Sequence, residues 1–193
     1  MDFNKHSAVA GTHAFLSASQ YAWVNYDLEK LEMRFETAMA AQRGTDLHAL
    51  AHECIRLGVK LPDNPTTMNL YVNDAIGFRM SPEQVLYYSI NCYGTADAIG
   101  FRMNRETRRR ILRIFDLKTG SILVKNPRQL EIYAAIFCLE YRIDPNEIDI
   151  ELRIYQSNEV RIYPGDPEVI RFIMDKIVAF DKHIEAMRAE VEA

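Results

Sequence analysis

Apolar positions recur at helical spacing in the first third of the chain, and at alternating spacing in the middle. Ser17 and Ser19 are candidate N-caps for a helix through about Met39, with Leu28, Leu31 and Phe35 on one face. Gly44 and Thr45 open the next expected helix. There Thr45 is the cap, Asp46 favours the positive end, and Leu47, Leu50, Ala51, Cys54 and Ile55 trace a stripe that Gly58 ends. Two prolines and Asn64 make 61–67 a loop, and 69–80 reads as a short helix. Ser81, Pro82 and Glu83 resemble a cap, a first-turn proline and an early acid, so another helix is expected from there. The texture then changes. GTADAIGFRM (94–103) and RILRIFDLK (110–118) suit adjacent strands, joined by the polar segment NRETRR as a hairpin loop. Asn126 and Pro127 start an amphipathic helix over 128–141, strands follow at 148–156 and 159–164, and Asp166 with Pro167 opens a long last helix towards Arg188. With no linker rich in Gly, Ser or Pro, this order predicts one α/β domain over 1–193, a small, mostly central sheet flanked by helices.

One heptapeptide, DAIGFRM, occurs at 74–80 and again at 97–103. The likeness stops at its borders, since the first copy runs into SPEQ and the second into strand-like residues. The same seven residues are therefore expected to be helical in the first place and extended in the second, as tertiary context decides. On that reading Asp74 is a decoy for Asp97.

Composition narrows the class without naming a function. At 193 residues with 48% apolar and 26% charged positions, the chain has the make-up of a globular protein. It shows neither a run long enough for a membrane span nor the pattern of a secretory leader. Cys54, Cys92 and Cys138 are odd in number and widely spaced, which suits a reducing cytoplasm and offers no zinc-type pair. A net charge of −4 does not favour nucleic acid, yet the positive charge is uneven, with Arg105, Arg108, Arg109, Arg110 and Arg113 in or beside the expected hairpin loop.

Asp97 and Asp116 stand on the two expected strands of that hairpin, where both carboxylates can aim at one hard cation such as Mg²⁺ or Mn²⁺. Lys118 follows Asp116 by two positions and so shares its face, where an ammonium can orient water or stabilise developing negative charge. Hydrolysis of a phosphodiester needs this set. An isolated Asp-x-Lys is commonplace, and the acids could equally be solvated turn residues.

The surroundings make the spacing specific. RGTDLHALAHE (43–53), GTAD (94–97), DLKTG (116–120) and QLEIY (129–133) occur in that order over roughly residues 13–163. They resemble the successive motifs of RecB-like PD-(D/E)XK nucleases, which include the RecB and AddA nuclease domains, CRISPR-associated relatives and phage exonucleases. The resemblance implies a restriction-endonuclease-like core with a small mixed sheet, and a Mg²⁺- or Mn²⁺-dependent DNase, expected to act as an exonuclease, of phage-type recombination or DNA processing. It implies His48, Asp97, Asp116 and the Leu117 carbonyl as metal ligands, Lys118 as the catalytic lysine, and Gln129 with Tyr133 as a pair positioning DNA or the site. Glu53 falls where some members carry an acid, although five residues from His48 is about 140° round a helix.

Each role has a competitor. His48 and His52 are four apart, a spacing also used for zinc; Tyr133 could be core and Gln129 an exposed helix residue. Arg105, Arg108 and Arg109, with Lys125 and Arg128, are candidate DNA-backbone contacts or a solvated face. No iron–sulfur cluster is expected from three cysteines, and no nucleotide cofactor without a phosphate-binding loop. DNA is the expected partner, with a recombinase, a single-strand-binding protein or a second copy of the chain as further possibilities. A nuclease-fold binding or regulatory subunit of weak activity is the alternative.

Overall fold

The computed structural model describes Ser7, residues 14–104 and residues 107–191. Its contacts divide the chain into two compact units, Met1–Thr45 and Asp46–Ala193. In the first, a 3-10 segment Ala18–Asn25 takes the place of the helix expected from Ser17 or Ser19. The hydroxyls of Ser17 and Ser19 bond each other at 2.8 Å, and neither caps. Helix α1 runs instead from Leu28 to Leu57, started by Asp27, whose Oδ1 accepts the Lys30 amide at 2.8 Å. Gly44 and Thr45 do not interrupt it. Thr45 turns its hydroxyl back onto the Ala41 carbonyl within the same helix, and one glycine costs only about 1 kcal/mol against the strong helix formers on either side. Gly58 ends the helix as expected, at φ +68°.

The second unit is built on a five-stranded sheet. After α2 (Thr67–Gly77) come β1 (Ser81–Ser89), β2 (Cys92–Met103), β3 (Arg110–Leu117), α3 (Arg128–Tyr141), β4 (Asp149–Gln156), β5 (Glu159–Pro164) and α4 (Pro167–Val191). The strands lie in the order β1-β2-β3-β4-β5, antiparallel except for β3 and β4, whose parallel pairing is made possible by the α3 crossover. Side chains alternate across β3. Leu112 and Ile114 join a core with Leu130 and Ala134 of α3 and Ile170 of α4. Phe115 and Leu117 join a second core with Ala51 and Ile55 of α1 and Tyr71 and Val72 of α2. Helices thus cover both faces of a mixed sheet.

β1 corrects the helix expected from Ser81. Val85, Leu86, Tyr87 and Tyr88 are residue types that favour a pleated, half-buried surface, and Pro82 is tolerated because β1 is an edge strand. The repeated heptapeptide does adopt two structures. Its first copy ends α2 and turns through Arg79 at φ +55°, and its second copy lies wholly in β2.

Asp74 is structural. Its Oδ2 accepts from Arg153 Nη1 at 2.8 Å and from the buried Tyr155 hydroxyl at 2.7 Å, while the Arg153 guanidinium lies between Phe78 and Phe115. Burial, then this carboxylate, pushes the Tyr155 phenol upward. Asp74→Ala leaves a buried hydroxyl without its acceptor and is expected to lower stability by roughly 1–3 kcal/mol, read by urea unfolding. No change in midpoint would show that the network is dispensable.

Candidate active site

The register of the hairpin positions the acids. β2 and β3 pair regularly from Met103 opposite Arg110 up to Ala98 opposite Phe115, and there the pairing stops. One step further, Asp97 faces Asp116 across diverging strands. Asp97 and Asp116 are the next positions of this register, just beyond its last bonded pair. Where the ladder has ended, Asp97 Oδ2 accepts the Leu117 amide at 2.9 Å. The Lys118 amide bonds Tyr155 of β4 at 2.9 Å, so the Leu117 amide and carbonyl both turn the other way, towards Asp97.

Around this pair the remaining residues assemble. His48 of α1 brings Nδ1 to 3.6 Å from Asp97 Oδ2. Lys118 Nζ donates to Asp116 Oδ1 at 3.0 Å and to Gln129 Oε1 at 2.8 Å, and Gln129 Nε2 donates to the Tyr133 hydroxyl at 3.3 Å. A continuous polar chain therefore joins α3 to Asp116. Asp116 is 3% exposed. Burial pushes both carboxyls above their ordinary range; the Asp116 charge adds to the rise at Asp97, while the Leu117 amide, His48 and Lys118 oppose it. The buried Tyr71 phenol is pushed upward too, first by burial and then by the charges of Asp97 and Asp116, with Glu83 a smaller contributor. A cleft of about 330 Å³ opens beside Lys118, between Leu47, Met68 and Gly120.

Gly94 belongs to this arrangement. A Cβ there would come within 2.9 Å of Tyr133 Cε1, so the bare backbone of β2 is what seats the Tyr133 ring. Gly94→Ala is expected to displace the ring, loosen the Gln129–Lys118 link and reduce turnover about tenfold with a smaller effect on stability. Equal turnover in the variant would mean that Tyr133 only packs.

Other residues of interest lie elsewhere. Glu53 is bound to Arg56 through both carboxylate oxygens and takes no part. His52 turns to Glu83, Nδ1 to Oε2 3.4 Å, so the two histidines address different acids and do not converge as a zinc pair. Glu83 is the neighbour that sequence reasoning missed. It lies between Pro82 and Gln84, which pair with Ala98 and Ala96, and so falls opposite Asp97 in register; the helix expected there concealed it.

The basic cluster lies at the loop end of the hairpin, as its position in the sequence implies. An antiparallel hairpin puts its loop at one end and its open ends at the other, so Arg108 and Arg109 lie about 20 Å along the strands from the acids. Arg109 is also engaged with Asp149 at 3.6 Å and the Asn146 carbonyl. Arg105 lies outside the described residues. Lys125 and Arg128 precede Gln129 at the acid end, with Arg128 paired to Glu131 at 3.0 Å.

Among the described residues, no three His, Cys, Asp or Glu side chains form a ready-made metal cage, and no helix is long and apolar enough to cross a membrane. Compared with known proteins, the chain matches no protein-family model, no curated protein and no solved structure.

Proposed function

We propose that the chain is a Mg²⁺- or Mn²⁺-dependent DNA nuclease with a restriction-endonuclease-like core of the RecB-like PD-(D/E)XK type. The observation that carries this reading is the end of the β2–β3 ladder one step before Asp97 and Asp116. A buried carboxylate, Asp116, and a half-buried one, Asp97, both held above their ordinary range, repel each other unless a cation neutralises them. Magnesium suits such a pair, because it is commonly held by one or two carboxylates plus waters and substrate phosphates and needs no all-protein cage.

Asp97 and Asp116 would hold the ion, with His48 and the Leu117 carbonyl beside them. Bound there, it would supply an activated water and charge neutralisation at the phosphate. Lys118 presents an ammonium at the acids, and Gln129 fixes its direction. Its three hydrogens allow it to keep Asp116 and Gln129 while donating a third bond to a phosphate oxygen or to the attacking water. His48 keeps the Asp97 carboxylate oriented from the helix side.

Incubation with linear and circular DNA, single- and double-stranded, tests the reading directly. Cleavage is expected in Mg²⁺ or Mn²⁺ and none in EDTA, with circular substrates resistant if ends are required. Intact DNA under every condition overturns it.

A further inference from the structure

A second pocket, of about 540 Å³, opens where β1, β2 and the end of α3 meet, within the size range of small-ligand sites. Arg79, Arg102 and Arg110 line it together with Phe101, Phe137 and Tyr141. Among the described residues, no carboxylate compensates its charge. Arg109, Arg113, Arg128 and Arg153 each meet a carboxylate, whereas among the described residues these three arginines meet none. Arg102 donates to the Arg79 carbonyl at 3.1 Å, and the Arg110 guanidinium stands 5.5 Å from the Phe101 ring centre. The aromatics form a file, Phe101 to Phe137 at 5.1 Å and Phe137 to Tyr141 at 4.7 Å, which ends in a Tyr141 ring 51% exposed. A half-exposed aromatic ring beside guanidinium groups that meet no carboxylate among the described residues is the chemistry of a base next to its phosphates.

We infer that this pocket holds one strand of nucleic acid, with a base on Tyr141 and the adjoining phosphates on Arg79, Arg102 and Arg110. The choice of DNA as occupant rests on the nuclease reading. Phe101 and Asp97 both lie on β2, four residues and so about 13 Å apart. A short stretch of one strand spans that distance. The pocket grips the strand a few nucleotides from the acids, which holds the scissile phosphate in register.

The probe is a fluorescent (dT)12 oligonucleotide in EDTA, where nothing is cut, with affinity read by anisotropy across a salt series. The double variant R102Q/R110Q is expected to bind at least tenfold more weakly, with the log–log salt slope reduced by about 1.4 for two lost single-strand phosphate contacts. Tyr141→Ala is expected to weaken binding at least fivefold, and Tyr141→Trp to restore it, with thermal melts confirming that each variant is folded. No binding by the native protein, or unchanged affinity in the variants, overturns the inference. Loss in the arginine variant alone, with Tyr141→Ala unaffected, marks a general anion patch and overturns it too. If the protein cuts DNA in Mn²⁺ while these variants bind normally, the pocket assignment falls and the nuclease stands. If nothing is cut but binding follows the pocket residues, the reverse holds.

Discussion

Lys118→Met is expected to reduce DNA cleavage by about 10²–10³-fold, the size of effect seen when one fixed donor to a developing charge is removed. The side chain bridges two elements, with Nζ 3.0 Å from Asp116 and 2.8 Å from Gln129. Methionine keeps most of the stem and removes only the charge and its donors, so the chain should remain folded. Lys118→Arg should not rescue activity, because a planar guanidinium with a fixed fork cannot replace a compact ammonium in that position. A second readout separates this role from a purely structural one. Lys118 opposes the rise of the Asp116 carboxyl that burial causes. Without it Asp116 ionises at a higher pH, and the acid limb of the residual pH–rate profile should move upward. Cleavage within a few-fold of the native rate, in a preparation free of contaminating nucleases, would remove Lys118 from the chemistry.

What the residues reveal by themselves is uneven, for physical reasons. The α3 helix over 128–141 and the strands after it are legible because periodicity, Asn126-Pro127 and Asp166-Pro167 agree with the tertiary result. The two fates of DAIGFRM are legible from the flanks. β1 is not, because Ser-Pro-Glu has the local chemistry of a helix start, and only an edge position in a sheet makes Pro82 acceptable there. The same error hid Glu83. At Gly44 the local break signal yields to a helix strong on both sides. For the candidate site, Lys118 sharing a face with Asp116 follows from strand alternation alone. The approach of His48 to Asp97 does not: 49 positions separate them, and only the motif resemblance linked them beforehand. Nor can any sequence pattern show that the ladder stops at Ala98 and Phe115, which is a matter of register between strands. The place of the arginine cluster is legible, since hairpin geometry alone puts the loop at the far end from the acids.

Asp97→Asn is expected to make the protein more stable at neutral pH and inactive. The amide keeps an oxygen for the Leu117 N–H at Asp97, so the local bond survives while a buried charge is lost. Burial holds the Asp97 carboxyl above its ordinary value, with the Leu117 amide opposing and the Asp116 charge adding. A carboxyl whose folded value is raised above its unfolded value favours folding while it is protonated. That contribution is complete below about pH 4, the unfolded carboxylate value, and is lost as pH rises through the higher folded value. At neutral pH the ionised pair therefore costs stability, and removing one member should raise Tm by about 2–4 °C for each kcal/mol recovered. The gain should shrink as pH falls towards 4, where native and variant chains are both neutral at this position. A cation that binds the folded pair relieves the same repulsion, so Mn²⁺ should raise the Tm of the native chain, by mass action, more than that of Asp97→Asn. A variant that melts below the native chain at pH 7.5, or that gains as much from Mn²⁺, would mean that the two carboxylates neither repel each other nor share an ion. The nuclease reading would then lose its centre, because an acid pair with no strain to relieve has no physical reason to recruit the metal.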